Sequence, residues 1–305
     1  MPPLKEIKTR IGSVSGTLKI TSAMKMVASA KLHRAQQAVQ GMLPYQQTLY
    51  RMLSTVAAGS HVTVSSGSQD ASGGEERPRI ALIAVASNSS LCGGFNANVV
   101  RKVLDTLAEY HSAGIPDEDI TVVPIGRKMA DAMRKTGRPA PDPDLFGNLS
   151  RLIEHPSFSP SAAFADQVID LFREGRFSRV ELIYNHFVSV ASQTPVREGW
   201  LPFAGSVPDS SRHSGLVPES SDRLWLMEPS REELLEQLLP RLMRLKIYTI
   251  LLDSAAAEHA ARTVAMQTAT DNGEDILEEL TLEYNKGRQQ KITSEILDLA
   301  GGAMQ

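Results

Sequence analysis

Disulfides are the first thing this sequence excludes: its 305 residues contain one cysteine, Cys92, so no internal bridge can form. A single thiol suits a reducing compartment. Aromatics are scarce, at 5% against 42% hydrophobic residues, which suits helix packing better than a sandwich core. No run of 18 or more apolar residues occurs, so no segment reads as a membrane span. A net charge of −3 gives no global argument for nucleic acid, which is not expected as a partner. Neither G-x-x-x-x-G-K-S/T nor G-x-G-x-x-G is present, so two familiar phosphate-cradling loops are missing. The histidines (33, 61, 111, 155, 186, 213 and 259) show no H-E-x-x-H and no paired spacing. Neither a metal site nor a bound cofactor is expected.

What the chain does have is two long helical ends. Steps of three and four from Leu4 pass through Ile7, Ile11, Val14, Leu18, Thr21, Lys25, Ala28, Leu32, Ala35, Val39 and Met42. All but Thr21 and Lys25 are apolar, which is the seam of a supercoiled helix. Off the seam lie Lys5, Lys8, Arg10, Lys19, Lys31 and Arg34. So narrow a stripe cannot form a core alone and needs a partner helix. The stretch 231–304 supplies one, with a single proline, Pro240, and apolar residues at Leu235, Leu238, Leu242, Leu245, Ile292, Ile296, Leu299 and Ala303. It is rich in glutamate where the first helix is basic, and opposite charge favours pairing by tenths of a kcal/mol per exposed pair at most.

Antiparallel pairing of residues 1–56 with 229–305 is the simplest arrangement. If both helices leave the middle of the chain at one level, near 56 and 230, residues whose numbers sum to about 286 lie side by side. Met24 then falls beside Arg262, and the second helix outruns the first by about 22 residues, roughly 33 Å. Its last turns, Ile296 to Met304, hold one charge. An end that apolar predicts a socket in another protein.

The middle, 78–228, reads as an inserted α/β domain of open-sheet, Rossmann-like type. Residues 80–86 (IALIAVA) and 120–125 (ITVVPI) are short apolar runs of the kind that form buried strands. Helices are predicted over about 96–113, 127–135 and from 161 to about 175. A strand over 179–190 is followed by QTPVREGWLPF, which returns beside it. Strand–helix alternation argues a parallel sheet covered by helices. Gly/Ser-rich stretches at 57–79 and 204–222 read as loops, the five prolines in 137–160 mark another, and LWLME (224–228) is a candidate last strand. Gly41 and Pro44 predict a kink in the first helix, with Leu49, Leu53 and Val56 continuing the apolar face.

The blocks LKEIKTRIGSVSGTLKITSAMKMVASAKLHRAQ and SAAAEHAARTVAMQTATDNGEDILEELTLEYNKGRQQKITSEILDLAGGA resemble the two ends of the gamma subunit of F-type ATP synthase. The family writes KIT-x-AMKMVA near its start and AAR-x-x-AM-x-x-AT-x-N … YNK-x-RQ-x-x-IT-x-E near its end. The resemblance implies a central rotor shaft, one copy per complex. Its partners would be a hexamer of alpha and beta subunits, an epsilon subunit and a membrane c-ring. It also implies a peripheral protein at the cytoplasmic face of a bacterial membrane that makes and breaks no bonds itself. Met24, Lys25, Arg262, Gln289 and Thr293 match positions that meet the catalytic subunits, and Ile296, Leu297, Leu299, Ala303 and Met304 would seat in the hexamer bearing. The sequence departs from the family at Ser87-Asn88-Ser89-Ser90-Leu91-Cys92-Gly93-Gly94, where relatives write S-D-R/K-G-L-C-G-G, and at Thr263, where they write Met. Two other readings stay open: a non-rotary coiled-coil adapter, and an α/β enzyme whose nucleophile is Cys92 at a helix N-terminus.

Overall fold

The computed structural model describes residues 3–57, 78–138, 146–147, 149–203 and 230–302. Its two ends are α1, Leu4–Ala57, and α6, Arg231–Gly302, of 54 and 72 residues. Between them come β1 (Ile80–Val85), α2 (Phe95–Ser112), β2 (Ile120–Ile125) and α3 (Arg127–Lys135). These are followed by α4 (Ser150–Glu154), α5 (Phe158–Arg173), β3 (Arg179–Phe187) and β4 (Gln193–Leu201). The strands form one open sheet in the order β2-β1-β3-β4. β1 lies parallel to both β2 and β3, and β4 returns antiparallel along β3. Helices at both ends and a central open sheet are the architecture the sequence predicts, and the antiparallel return of β4 makes that sheet mixed rather than wholly parallel.

The apolar runs are explained by burial on two faces. Ala81, Ile83 and Val85 of β1 point into one core with α5, the lower part of α6 and Leu49 and Leu53 of α1. Ile80, Leu82 and Ala84 point into the other, against α2 and α3. With all six residues buried, β1 has no side left for polar alternation. Pro124 is tolerated in β2 because that strand is at the sheet edge, where a missing N–H breaks no ladder. At the end of β2, Gly126 has φ 97°, and a Cβ there would sit 2.0 Å from the Ala86 carbonyl oxygen, so only glycine fits.

One buried charge fastens β3, β4 and α2 together. Glu181 is 2% exposed, and its carboxylate accepts from Arg197 Nε at 2.6 Å while Arg179 Nε lies at 3.1 Å. The Arg197 guanidinium also lies 4.9 Å above the Tyr110 ring. A carboxylate so deep is tolerable only with such partners.

Two differences from the sequence reading, and the course of both long helices through a proline, have physical causes. α5 starts at Phe158, not 161, because Pro160 occupies the first turn, where no intrahelical N–H bond is due. α1 runs through Pro44 and α6 through Pro240 without interruption of the helix. The carbonyls each proline deprives of a donor belong to Gln40 and Glu236, both exposed, so water can satisfy them. β3 ends at Phe187, after which Val188 and Ser189 donate to the Ser192 carbonyl in a tight turn. Apart from residues 57, 78 and 79, the loops expected at 57–79 and 204–222 and the strand at 224–228 lie outside the described residues.

Candidate functional site: a two-helix shaft with an unpartnered tip

Above the α/β domain, α1 and α6 pair along the seam the sequence predicts. Burial on α1 falls on Leu4, Ile7, Ile11, Val14, Leu18, Thr21, Lys25, Ala28 and Leu32. On α6 it steps by threes and fours from Thr263 through Met266, Thr270, Gly273, Leu277, Leu280 and Tyr284 to Gly287. The Thr21 and Thr270 hydroxyls share a hydrogen bond of 3.0 Å across the seam. Thr21 therefore satisfies its polar group inside the interface, which explains its place in an apolar stripe. Two glycines make the closest approach possible. Ideal Cβ atoms at Gly273 and Gly287 would come 2.7 Å from Leu18 Cδ2 and 3.1 Å from Leu4 Cδ2. Each leucine is a knob in a hole that glycine deepens.

The register differs from the expected one. Thr21 lies by Thr270, Leu18 by Gly273 and Leu4 by Gly287, so level residues sum to 291 rather than 286. Met24 is thus beside Gln267, and Arg262 is beside Ser29. The helices do not leave the domain together: α6 begins about one turn beyond the end of α1, and the Arg231 side chain reaches back to the Val56 carbonyl. Beyond the level of Leu4, residues 288–302 continue as about 22 Å of single helix. Side chains 288–297 are all exposed, including Ile292, Ile296 (60%) and Leu297 (65%).

Outward, the two helices carry opposite signs. Lys5, Lys8, Arg10 and Lys19 are exposed on α1, whereas Asp271, Glu274, Asp275, Glu278, Glu279 and Glu283 are exposed on α6. Among the described residues no ion pair crosses between the helices here; Arg10–Glu6 and Lys291–Glu295 each stay within one helix. The pairing rests on the seam, not on charge. Ile20, Met26 and Val27 are exposed apolar residues on the basic helix, and Val27 is level with the exposed Val264 of the other helix.

Where the shaft meets the α/β domain, α6 is made of small residues. Ala256 and Ala260 face Leu32 of α1, while Ala257 and Ala261 face Cys92 and Phe95 of the domain. Alanine lets the helix be gripped from both sides. Two polar fasteners flank this stretch. Lower down, Asp253 accepts from the Phe187 backbone N–H at 3.0 Å and bonds His186 Nδ1 at 2.6 Å, holding the end of β3. Higher up, Arg262 donates to the Ser90 carbonyl (2.6 Å), Ser89 Oγ (2.8 Å) and Glu258 Oε1 (2.6 Å). The i,i+4 spacing of Glu258 and Arg262 was legible in the sequence; the turn partners of Arg262, 172 and 173 residues away, were not.

The expected contact residues therefore divide. Met24 and Lys25 are half-buried at the seam margin. Gln289 and Thr293 stand exposed on the single-helix tip, with Thr293 Oγ1 donating to the Gln289 carbonyl at 2.9 Å. Leu299 is within α6, and Ala303 and Met304 lie outside the described residues. Arg262 is turned to the α/β domain, away from Met24, with its side chain 11% exposed. Cys92 does not fit an activated nucleophile. It is 1% exposed, burial pushes its thiol pKa up, and its hydrogen-bond partners are Ser87, Ser89 and Asn96, none of them a base. Among the described residues no three His, Cys, Asp or Glu side chains converge to hold a metal ion, and no helix is long and apolar enough to cross a membrane.

His259 faces the same joint with Nδ1 buried and without a hydrogen-bond partner. Burial, then the nearby Lys31 and Arg262 charges, lower its pKa to about 4. The unfolded chain, with an ordinary histidine pKa of about 6.5, binds the proton first, so this contribution is intact above that pH. It is lost as pH falls towards 4. The melting temperature of the protein is expected to drop more between pH 7 and 4.5 than that of His259→Leu. Comparing the two cancels the other histidines, including His186, whose pKa the Asp253 hydrogen bond raises. Parallel pH profiles would contradict the assignment.

A two-helix rod fixed to an α/β domain, with a helical tip left bare, defines a shaft-type subunit of a larger assembly. The ATP synthase family model matches residues 3–304. The chain is 44% identical over 304 residues to the ATP synthase gamma chain of Phocaeicola vulgatus and 45% identical over 309 residues to that of Bacteroides fragilis, covering all of both partners in each case. It is 37% identical to the gamma chain of Flavobacterium johnsoniae, covering 99% of this chain and 98% of that one. The chain belongs to the ATP synthase gamma-chain family. Its fold is similar to a chain of the Euglena gracilis mitochondrial ATP synthase rotor, with TM-score 0.59, 20% identity and coverage of 95% and 98%. A chain of the Tetrahymena thermophila mitochondrial ATP synthase central stalk and c-ring has TM-score 0.51 and 23% identity, covering 82% of this chain and 99% of that one.

Proposed function

We propose that this chain is the central-stalk rotor of an F-type ATP synthase, turning between a membrane c-ring and a hexamer of alpha and beta subunits. The α/β domain is its foot on the ring, with the epsilon subunit beside it, and the complex holds one copy. The observation behind this reading is the seam that stops at Leu4 and Gly287 while α6 goes on alone. A helix end with exposed Ile292, Ile296 and Leu297 requires a surrounding partner. Ile296, Leu297, Leu299, Ala303 and Met304 are the bearing surface; Met24, Lys25, Gln289 and Thr293 meet the catalytic subunits. The chain itself carries out no bond chemistry and sits peripherally at the cytoplasmic face of a bacterial membrane.

The charge pattern suggests how a shaft can act on three identical partners. Half a turn exchanges the basic, apolar face of α1 for the acidic face of α6 in front of any fixed beta subunit. Each partner then meets a different surface and is biased towards a different conformation, which is differential binding to alternative states. These fields act within about 8 Å in physiological salt, so only subunits in contact feel them. One ion crossing about 150 mV contributes roughly 3.5 kcal/mol to the turning.

Coexpression of the full chain with alpha and beta subunits tests this. The expected product contains one copy per three alpha–beta pairs and turns when ATP is hydrolysed. A non-rotary adapter would tolerate replacement of residues 4–28 and 263–287 by an unrelated heptad coiled coil. Full coupling with such ends would overturn the rotor reading.

A further inference from the structure

Among the described residues, the turn 87–94 is the highest part of the α/β domain that touches α6. Its grip has an apolar half and a polar half. Cys92 and Phe95 pack on Ala257 and Ala261, and Gly93 approaches Ala265 closely enough that a Cβ would lie 3.7 Å from its side chain. The polar half is the Arg262 guanidinium, which ties the Ser90 carbonyl and Ser89 Oγ to Glu258 one helical turn below. Glu258 and Arg262 side chains are each 11% exposed, so this pair is shielded from water. The turn itself is braced from behind. Asn88 accepts from the Arg127 N–H at 3.0 Å and donates to the Ser150 carbonyl at 2.8 Å, the Ser87 hydroxyl donates to the Ser89 carbonyl at 2.6 Å, and the Ser87 backbone N–H donates to Asn96 Oδ1 at 3.1 Å. Strand end, α2, α3, α4 and shaft thus meet at one point. Above it, burial on α6 follows only the seam with α1.

We propose that Arg262 and Glu258 are positioning residues that latch the 87–94 turn to α6 and so fix the angle of the α/β domain about the shaft. Building on the rotor reading, this makes the latch the place where torque passes between foot and shaft. Arg262 then affects coupling without touching a catalytic subunit. An arginine suits the task because its planar fork can hold three acceptors in fixed directions, whereas an ammonium group is a single mobile point. Charge-assisted hydrogen bonds of this length, shielded from water, resist shear better than the apolar contacts beside them.

Cys92, the only thiol in the chain, lies beneath the latch and reports its opening. The experiment follows maleimide labelling of the Cys92 peptide by mass spectrometry, first in the isolated full-length chain and then in the assembled complex. Arg262→Ala is expected to label about tenfold faster or more in both, because the local opening that exposes the thiol is no longer resisted by those bonds. In membranes the same variant is expected to pump severalfold fewer ions per ATP hydrolysed. Glu258→Gln, whose amide oxygen still accepts but leaves the shielded guanidinium without its counter-charge, and Arg262→Lys should both fall between the wild type and Arg262→Ala. Were Arg262 a partner contact instead, the isolated chain would label at the wild-type rate, and that result overturns the proposal. If Arg262→Ala does not fold, Arg262→Lys and Ser89→Ala are compared in its place, and wild-type rates in both overturn it. Failure of the unaltered chain to join alpha and beta subunits would count against the rotor reading alone, since labelling of the isolated chain still reports on the latch.

Discussion

Replacing Gly273 by leucine is expected to wedge the shaft helices apart and to cost the chain its place in the hexamer. Even a Cβ at this position would lie 2.7 Å from Leu18 Cδ2, and a full side chain has no room in the hole that Leu18 fills. Overpacking of this kind costs about 1–3 kcal/mol, against a gain of about 1 kcal/mol from removing a helical glycine. For Gly273→Ala the two effects nearly offset each other. For leucine the loss prevails, because two helices joined only by a seam have nothing else to hold them. Circular dichroism of the full chain should show earlier melting, and coexpression should show little assembly with alpha and beta subunits. The paired exchange Leu18→Gly with Gly273→Leu moves the knob to the other helix and is expected to recover part of both. Unchanged melting and assembly in Gly273→Leu would mean that the helices do not meet at this register.

Deletion of residues 288–305 is expected to abolish firm seating in the hexamer while leaving the rest of the fold intact. Side chains 288–297 are exposed, so their removal takes no buried side chain from the α/β domain or the seam. Burying an aliphatic side chain is worth about 1.5–3 kcal/mol, and Ile292, Ile296 and Leu297 alone offer three such groups. After the cost of fixing their rotamers, a loss of about 100-fold or more in affinity for the alpha–beta hexamer is the expected scale. The thermal unfolding midpoint of the truncated chain should match that of the full chain. A parallel fall in both would show that the tip belongs to the fold and not to a partner.

Much of this architecture is legible in the sequence. The seam of α1 was legible because a single stripe at three-and-four spacing can be buried only against another helix. β1 and β2 were legible because strands covered on both faces need uninterrupted apolar residues. The α6 seam was harder to see. Its holes are Gly273 and Gly287, whose function is to be small, and a search for apolar side chains passes over them. Their spacing of two heptads, matching that of Leu4 and Leu18, was the available signal.

The sequence by itself determined that the two ends pair, that an α/β domain lies between them, and that α6 outlasts its partner. Periodicity and segment length decide those matters, and both are local properties of the chain. Only the tertiary structure decided the register and the direction in which Arg262 points. Both depend on how far α6 starts beyond the end of α1 and on turn partners 172 and 173 residues away, and nothing in a repeat of three and four encodes the distance between elements that meet only in space.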